Sequence, residues 1–205
     1  TSKIRINDKT VWSDRTIVNQ DIIINEDSLF VYDELLLHDL ATIRIKSGAS
    51  LILAKNSVLK GTCVDSLFAG SIIVESGGSL VLKDSCKIYF NNGGGINIQE
   101  NATLYYGKSC DIYLGSASSV LDIAGNLHIG DNTTFTTSGN GYVKFSNNGT
   151  WDNTYNVTAG THSSVVFKGT GKNDKKLEIE QSTVRFPQLD SLSFRNCKIE
   201  MGSEK

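Results

Sequence analysis

A repeated order of residue types is the feature that most limits how this chain can fold. Each copy holds a short strand rich in β-branched residues, a small or polar turn, and a second strand in which apolar and polar residues alternate. Four copies, at residues 43–59, 72–88, 96–112 and 121–135, read IRIKSGASLILAKNSVL, IIVESGGSLVLKDSCKI, INIQENATLYYGKSCDI and LDIAGNLHIGDNTTF. An earlier copy, DIIINEDSLFVYDELLL, begins at Asp21. One copy therefore corresponds to one coil of a solenoid.

The repeat predicts an all-β fold, a single-stranded right-handed parallel β-helix of about eight coils. Parallel stacking follows from the order of the copies, and the sterics of crossover connections favour the right hand. We expect residues 1–20 to form an N-terminal cap and first strand, and residues 21–205 to form one continuous β-helix. The longest interval between equivalent leucines, Leu51 to Leu80, predicts a lateral loop over residues 60–71.

Strand alternation assigns side chains to the inside or the outside of the coils, because successive strand residues point to opposite faces. We expect Leu104 and Tyr106 to point inward and Tyr105 outward. The equivalent inward residues are Leu80 and Leu82 one coil earlier, and Leu127 and Ile129 one coil later. A second inward column is expected to stack Ile88, Ile112 and Phe135, with Cys86 placed on Cys110 beside it.

Short motifs in these coils resemble a known group of proteins. They are Val11-Trp12, Asp21-Ile22-Ile23-Ile24, Gly-Ala-Ser-Leu at 48–51 and Gly-Gly-Ser-Leu at 77–80. The chain resembles the pectin-lyase-like β-helix modules of secreted and surface proteins from Bacteroidetes-type bacteria, well over residues 11–135 and weakly beyond. The resemblance implies a secreted or cell-surface setting and no particular substrate.

The cysteines and histidines do not predict a catalytic or metal site. Cys86 and Cys110 are expected to face inward one coil apart, mainly as free buried thiols, with a disulfide as the alternative. Cys63 falls in the expected loop and Cys197 in the last strand. The histidines at 38, 128 and 162 fall on separate coils, so we predict no catalytic residue, no metal and no cofactor.

Outward tyrosines give the candidate binding surface. Tyr89 and Tyr113 occupy equivalent outward positions, and Tyr105, Asn91 and Asn92 flank them in the sequence. Stacked aromatic side chains can present a flat face to sugar rings, but a cross-strand ladder that only supports the sheet has the same pattern. Both interpretations stay open at this point.

The net charge and the lack of a long apolar run argue against nucleic-acid binding and membrane insertion. A net charge of -2 gives no general attraction to nucleic acid, and no apolar run is long enough to insert into a membrane. We expect a non-catalytic extracellular scaffold or binding module of a larger protein, whose partners are glycans or other domains of the same chain. The alternatives are a polysaccharide lyase or glycoside hydrolase, and an adhesion or assembly stalk. The enzyme would need carboxylates that converge from adjacent coils, whereas Asp122 aligns with Asn97 and Ile73, and Asp111 aligns with Lys87.

Overall fold

The computed structural model describes residues 2–61, 70–146, 154–159, 161–168, 175–179, 183–185, 189, 191–195 and 197–201. These residues form strands that we number in chain order. Successive strands do not pair with each other; each pairs in parallel with a strand one coil away. The described chain is therefore an all-β parallel β-helix, as the repeat predicts.

Two long sheets run the length of the solenoid. Within the described residues, sheet A contains β1 (Lys3–Ile6), β4 (Asp21–Ile24), β7 (Thr42–Ile45), β10 (Ser71–Val74), β13 (Gly95–Ile98), β16 (Val120–Ile123), β19 (Tyr142–Phe145), β22 (Lys175–Ile179) and β25 (Cys197–Met201). Sheet B contains β2 (Thr10–Trp12), β5 (Ser28–Val31), β8 (Ser50–Leu53), β11 (Ser79–Leu82), β14 (Thr103–Tyr106), β17 (Asn126–Ile129), β20 (Thr154–Ala159) and β23 (Thr183–Arg185).

The third side of the solenoid is divided between two shorter sheets. Sheet C contains β3 (Thr16–Val18), β6 (Glu34–Leu37), β9 (Val58–Gly61), β12 (Lys87–Phe90) and β15 (Asp111–Leu114). Sheet D contains β18 (Thr134–Phe135), β21 (Ser164–Lys168) and β24 (Ser191–Arg195). The described strands thus give about eight coils, in agreement with the repeat count.

The strand register stacks equivalent residues of adjacent coils. Leu80 pairs with Leu51 on one side and with Leu104 on the other. Leu104 and Tyr106 are buried, whereas Tyr105 between them is 40% exposed. The predicted alternation is confirmed. Burying these aliphatic columns drives the coils together, at roughly 25 cal/mol for each Å² of apolar surface removed from water.

The turns at two corners also repeat their backbone conformation from coil to coil. Left-handed φ angles occur at the corner after sheet B in Asn56, Ser85, Ser109 and Asn132, and at the corner after sheet A in Asp27, Gly48, Gly77 and Asn101. The Ser85 amide donates to the Lys108 carbonyl at 2.8 Å. Hydrogen bonds between coils therefore continue through the corners.

The inward column after Ile112 differs from the sequence prediction. Tyr113 forms a parallel bridge with Ser138, which places Thr137 rather than Phe135 one coil after Ile112. Phe135 instead packs edge-on against Tyr106, with ring centroids 4.9 Å apart. The prediction that Phe135 stacks on Ile112 is wrong, because the Tyr113–Ser138 bridge shifts the pairing by two residues and Phe135 packs on Tyr106 instead.

The first coil lies within the described residues, whereas most of the expected loop does not. Residues 3–18 form β1, β2 and β3, and the half-buried Trp12 packs against the core. Residues 62–69 of the expected loop, including Cys63, lie outside the described residues. The flanking Lys60 and Gly61 belong to β9, and Ser71 begins β10.

Candidate functional site

The predicted tyrosine pair is brought together on the outside of sheet C. Tyr89 and Tyr113 pair in register, with ring centroids 5.8 Å apart and ring planes tilted by 54°. Both side chains are half-buried. The backbone at Gly115 and Gly139 lies so close to the Tyr113 ring that a Cβ at either position would meet a ring atom, at 2.9 and 3.2 Å. This pair is a packed ladder rather than a flat open face.

The other predicted site residues do not form one surface with that pair. Asn91 and Asn92 lie in an exposed bend directly after β12, next to the tyrosines. Tyr105 lies on sheet B, which is a different side of the solenoid, and its ring contacts His128 with centroids 5.3 Å apart. The predicted set is therefore divided between two faces.

A groove that the sequence analysis missed lies on sheet B near the N-terminal end. Its lining residues are Phe30, Tyr32, Ile52, Ala54, Lys55, Lys83 and Asp84, and its volume is about 350 Å³. Pockets that hold small ligands range from roughly 300 to 1,000 Å³. The groove is therefore large enough for one small ligand.

The groove exists because a small residue lies between two large ones in an outward row. The Ala54 amide donates to the Val31 carbonyl, and the Lys83 amide donates to the Leu53 carbonyl. These bonds place Ala54 one coil after Tyr32 and Lys83 one coil after Ala54. The three side chains therefore follow one another along the solenoid. Ala54 leaves a recess between Tyr32 and Lys83. Phe30 and Ile52, in the neighbouring outward row, complete the apolar wall.

Phe30 and Tyr32 form a nearly parallel pair of aromatic rings on this face. Their ring centroids are 6.4 Å apart and their planes differ by 18°. Tyr32 is 53% exposed, and the Lys9 ammonium lies 5.3 Å from the centroid of the Phe30 ring. The two residues are separated by one position in the sequence, so strand alternation alone could have identified them as a pair.

The charged side chains at the rim of the groove differ in whether they have an interaction partner. Asp84 Oδ1 accepts a hydrogen bond from the Lys108 amide at 3.0 Å. Lys55 and Lys83 are exposed, and within the described residues neither makes an ion pair with a carboxylate. The rim therefore presents two ammonium groups beside one carboxylate that already accepts a backbone hydrogen bond.

Elsewhere among the described residues, Glu34 and Glu75 each contact two cations. Glu34 contacts Arg15 at 3.2 Å and Lys60 at 3.1 Å. The hydrogen bond from Lys60 is the main reason why the pKa of Glu34 is lowered.

Glu75 holds a similar ion pair on sheet A, where Oε1 lies 2.8 Å from Arg44 and 2.9 Å from Lys46. Partial burial raises the pKa of Glu75, but the hydrogen bonds from these two cations outweigh burial and lower it overall.

The two stacked cysteines are buried and free, as the sequence favours. The Lys83 carbonyl accepts from both thiols, with Sγ to O distances of 2.7 Å for Cys86 and 2.9 Å for Cys110. Hydrogen bonding with Cys110 and burial raise the pKa of Cys86 far above its ordinary value. Cys86 is therefore a protonated core thiol, not a poised nucleophile.

A second recess lies on sheet A, and its volume is about 370 Å³. It forms over Gly94 and Gly95, where a Cβ at Gly95 would lie only 1.8 Å from the Val120 carbonyl oxygen. Asp122 is the acidic residue in its lining, and it accepts a hydrogen bond from the Ser146 hydroxyl. Asp111 lies on sheet C, so these two carboxylates do not converge.

Among the described residues, no three His, Cys, Asp or Glu side chains are arranged to hold a metal ion. None of the described residues belongs to a helix long and apolar enough to cross a membrane.

Comparison with known proteins adds no relative. No protein-family model, no curated protein and no solved structure matches the chain. The geometry of the two aromatic pairs and of the groove is therefore what indicates a function.

Proposed function

We propose that this chain is a non-catalytic, extracellular β-helix module of a larger secreted or cell-surface protein, and that it binds carbohydrate in the groove beside Phe30 and Tyr32. The observation that carries this proposal is the nearly parallel pair of rings, whose planes differ by 18°, at the edge of a recess. The Tyr89 and Tyr113 pair has a supporting role in the sheet.

The chemistry of the groove suits a sugar ring. A pyranose has an apolar face of C–H groups that packs on an aromatic ring, and a rim of hydroxyl groups that needs hydrogen-bonding partners. Phe30 and Tyr32 offer the aromatic face, while Lys55, Lys83 and Asp84 offer polar groups at the rim. A groove open to solvent also admits one unit of a longer chain.

The rigidity of the solenoid supports a recognition role. Phe30 belongs to β5, which pairs on both sides with β2 and β8, so its position is fixed before a ligand arrives. Preorganised side chains bind with a smaller loss of conformational entropy. The extracellular setting follows from the resemblance to secreted β-helix modules.

The proposal is tested by binding of the purified protein to a broad glycan array, with Tyr32→Ala as the perturbation. We expect Tyr32→Ala to lose about tenfold or more in affinity, since one aromatic contact contributes roughly 0.5 to 1.5 kcal/mol beyond its buried area. Tyr105→Ala is the matched control, because Tyr105 is an exposed aromatic residue on the same sheet.

Two outcomes would contradict the proposal. If the double variant Tyr89→Ala with Tyr113→Ala loses binding and Tyr32→Ala does not, the sugar site lies on sheet C. If no glycan retains the protein, carbohydrate recognition is rejected. Product analysis of the same mixtures tests the lyase or hydrolase alternative, which predicts cleaved chains.

A further inference from the structure

We propose that the sugar bound by Phe30 and Tyr32 is anionic, and that its carboxylate or sulfate group lies between Lys55 and Lys83. This inference rests on the proposed function and gives the charge of its ligand. The aromatic pair alone would accept a neutral sugar, so the evidence for an acidic group comes from the opposite side of the groove.

The positions of the lysines fit a bound sugar with an acidic substituent. Lys83 follows Tyr32 and Ala54 in the same outward row, two coils away from Tyr32. Two strand spacings are about 10 Å, which is enough for one pyranose ring with a substituent. A sugar stacked on Tyr32 across the recess at Ala54 would therefore direct its far side to Lys83.

The charges in the groove favour an anion. Lys55 and Lys83 have no carboxylate partner among the described residues, in contrast to the cations that surround Glu34 and Glu75. The nearest acidic group of the lining is Asp84, whose Oδ1 already accepts the Lys108 amide. An acidic substituent would supply the acceptor that the two ammonium groups lack, and charge-assisted hydrogen bonds are stronger than neutral ones.

Lys9 adds a further positive charge beside the aromatic pair. Its ammonium lies 5.3 Å from the Phe30 ring centroid, over the ring. The groove lining contains two ammonium groups and one carboxylate, and the Lys9 ammonium lies beside it on Phe30. This local excess differs in sign from the net charge of the chain, which is -2.

The test compares matched polymers that differ only in charge. Dextran and dextran sulfate share one backbone, and polygalacturonate and its methyl ester share another. Affinity electrophoresis at about 0.05 and 0.5 M NaCl measures the salt dependence, because screening weakens binding to an anion. We expect wild type to prefer at least one charged polymer over its neutral counterpart, with the sulfate and carboxylate pairs showing which acid group is used.

The perturbation is Lys55→Gln with Lys83→Gln, and its control is Lys87→Gln with Lys108→Gln. The control removes the same charge from exposed lysines outside the groove. We expect the groove variant to lose about tenfold in affinity for the charged polymer and the control to stay within about twofold of wild type. Equal losses in both variants would overturn the inference, because binding would then follow net charge.

Failure of this inference and failure of the proposed function give different results. If wild type binds charged and neutral polymers equally, and Tyr32→Ala weakens both, the groove binds carbohydrate but the anionic inference is rejected. If Tyr32→Ala binds every polymer as wild type does, the aromatic site itself is rejected, and the proposed function is rejected with it.

Discussion

Replacement of Thr137 by valine is expected to stabilise the β-helix, although it removes a hydroxyl group. Thr137 is 5% exposed, and within the described residues its Oγ1 has no hydrogen-bond partner. The side chain takes the inward position one coil after Ile112, so it meets an aliphatic column. Valine keeps nearly the same shape and replaces the hydroxyl with a methyl group.

The size of the effect follows from the cost of an unsatisfied buried group. A buried donor or acceptor without a partner costs roughly 1 to 3 kcal/mol. We expect the lower part of that range, about 1 to 1.5 kcal/mol, because the end of sheet C can relax. With a denaturant slope of about 2 kcal/mol per molar urea, the unfolding midpoint should rise by about 0.5 to 0.75 M.

Thr133→Val is the matched control. Thr133 is also buried, but its Oγ1 donates to the Asp131 carbonyl at 2.9 Å. Loss of that hydrogen bond should lower the unfolding midpoint by about 0.5 M, which corresponds to about 1 kcal/mol. Equilibrium urea unfolding followed by far-UV circular dichroism measures both variants. If Thr137→Val lowers the midpoint as much as Thr133→Val does, the Thr137 hydroxyl is hydrogen-bonded in solution and the reasoning is wrong.

Three further predictions concern an ion pair, two buried thiols and a tightly packed glycine. The pKa of Glu75 is lowered in the folded state from its ordinary value of 4.5, so its stabilising effect is present above pH 4.5 and is lost as the pH falls through the folded-state pKa. The urea unfolding midpoint of Glu75→Gln should therefore fall less than that of wild type as the pH is lowered below 4.5. An equal fall in both proteins would exclude this ion pair as its cause. Mass spectrometry after thiol labelling should find Cys86 and Cys110 modified only once the protein unfolds, since both are buried; labelling of the native protein would contradict their core position. Gly95→Ala should prevent folding or destabilise far more than Gly48→Ala, because a Cβ at Gly95 lies 1.8 Å from a carbonyl oxygen whereas Gly48 has open space, and thermal melts of equal midpoint would refute this packing.

Much of the fold could be predicted from the sequence because each coil repeats the same order of strand and turn residues. A turn such as Glu75-Ser76-Gly77-Gly78 recurs beside alternating strands, and the register of Leu51, Leu80 and Leu104 follows from it. The inward column that Phe135 joins could not be predicted in this way. Its position depends on how the chain passes Tyr106, which is a tertiary contact without a repeat signal.

The candidate site was harder to predict than the fold. The sequence predicts Tyr89 and Tyr113 as neighbours, and they are, but it does not give the ring tilt or the backbone packed against Tyr113. The groove at Phe30 needs Ala54 and Lys83 from the following coils. Such a recess is produced by differences between coils, whereas repeat analysis detects what the coils share.

The direction of the hydrogen bonds between coils has a mechanical consequence. In sheets A, B and C these bonds run along the axis of the rod, so a pulling force applied to its two ends acts on the outermost coil first. Extension should then proceed by stepwise peeling rather than by one cooperative rupture. A coil such as the one from Ile72 to Ile96 contains 24 residues, and its release would lengthen the tether by about 80 Å. Force spectroscopy would display a sawtooth whose steps vary with the length of each coil, and the protein would yield coil by coil under tension while the remaining coils stay intact.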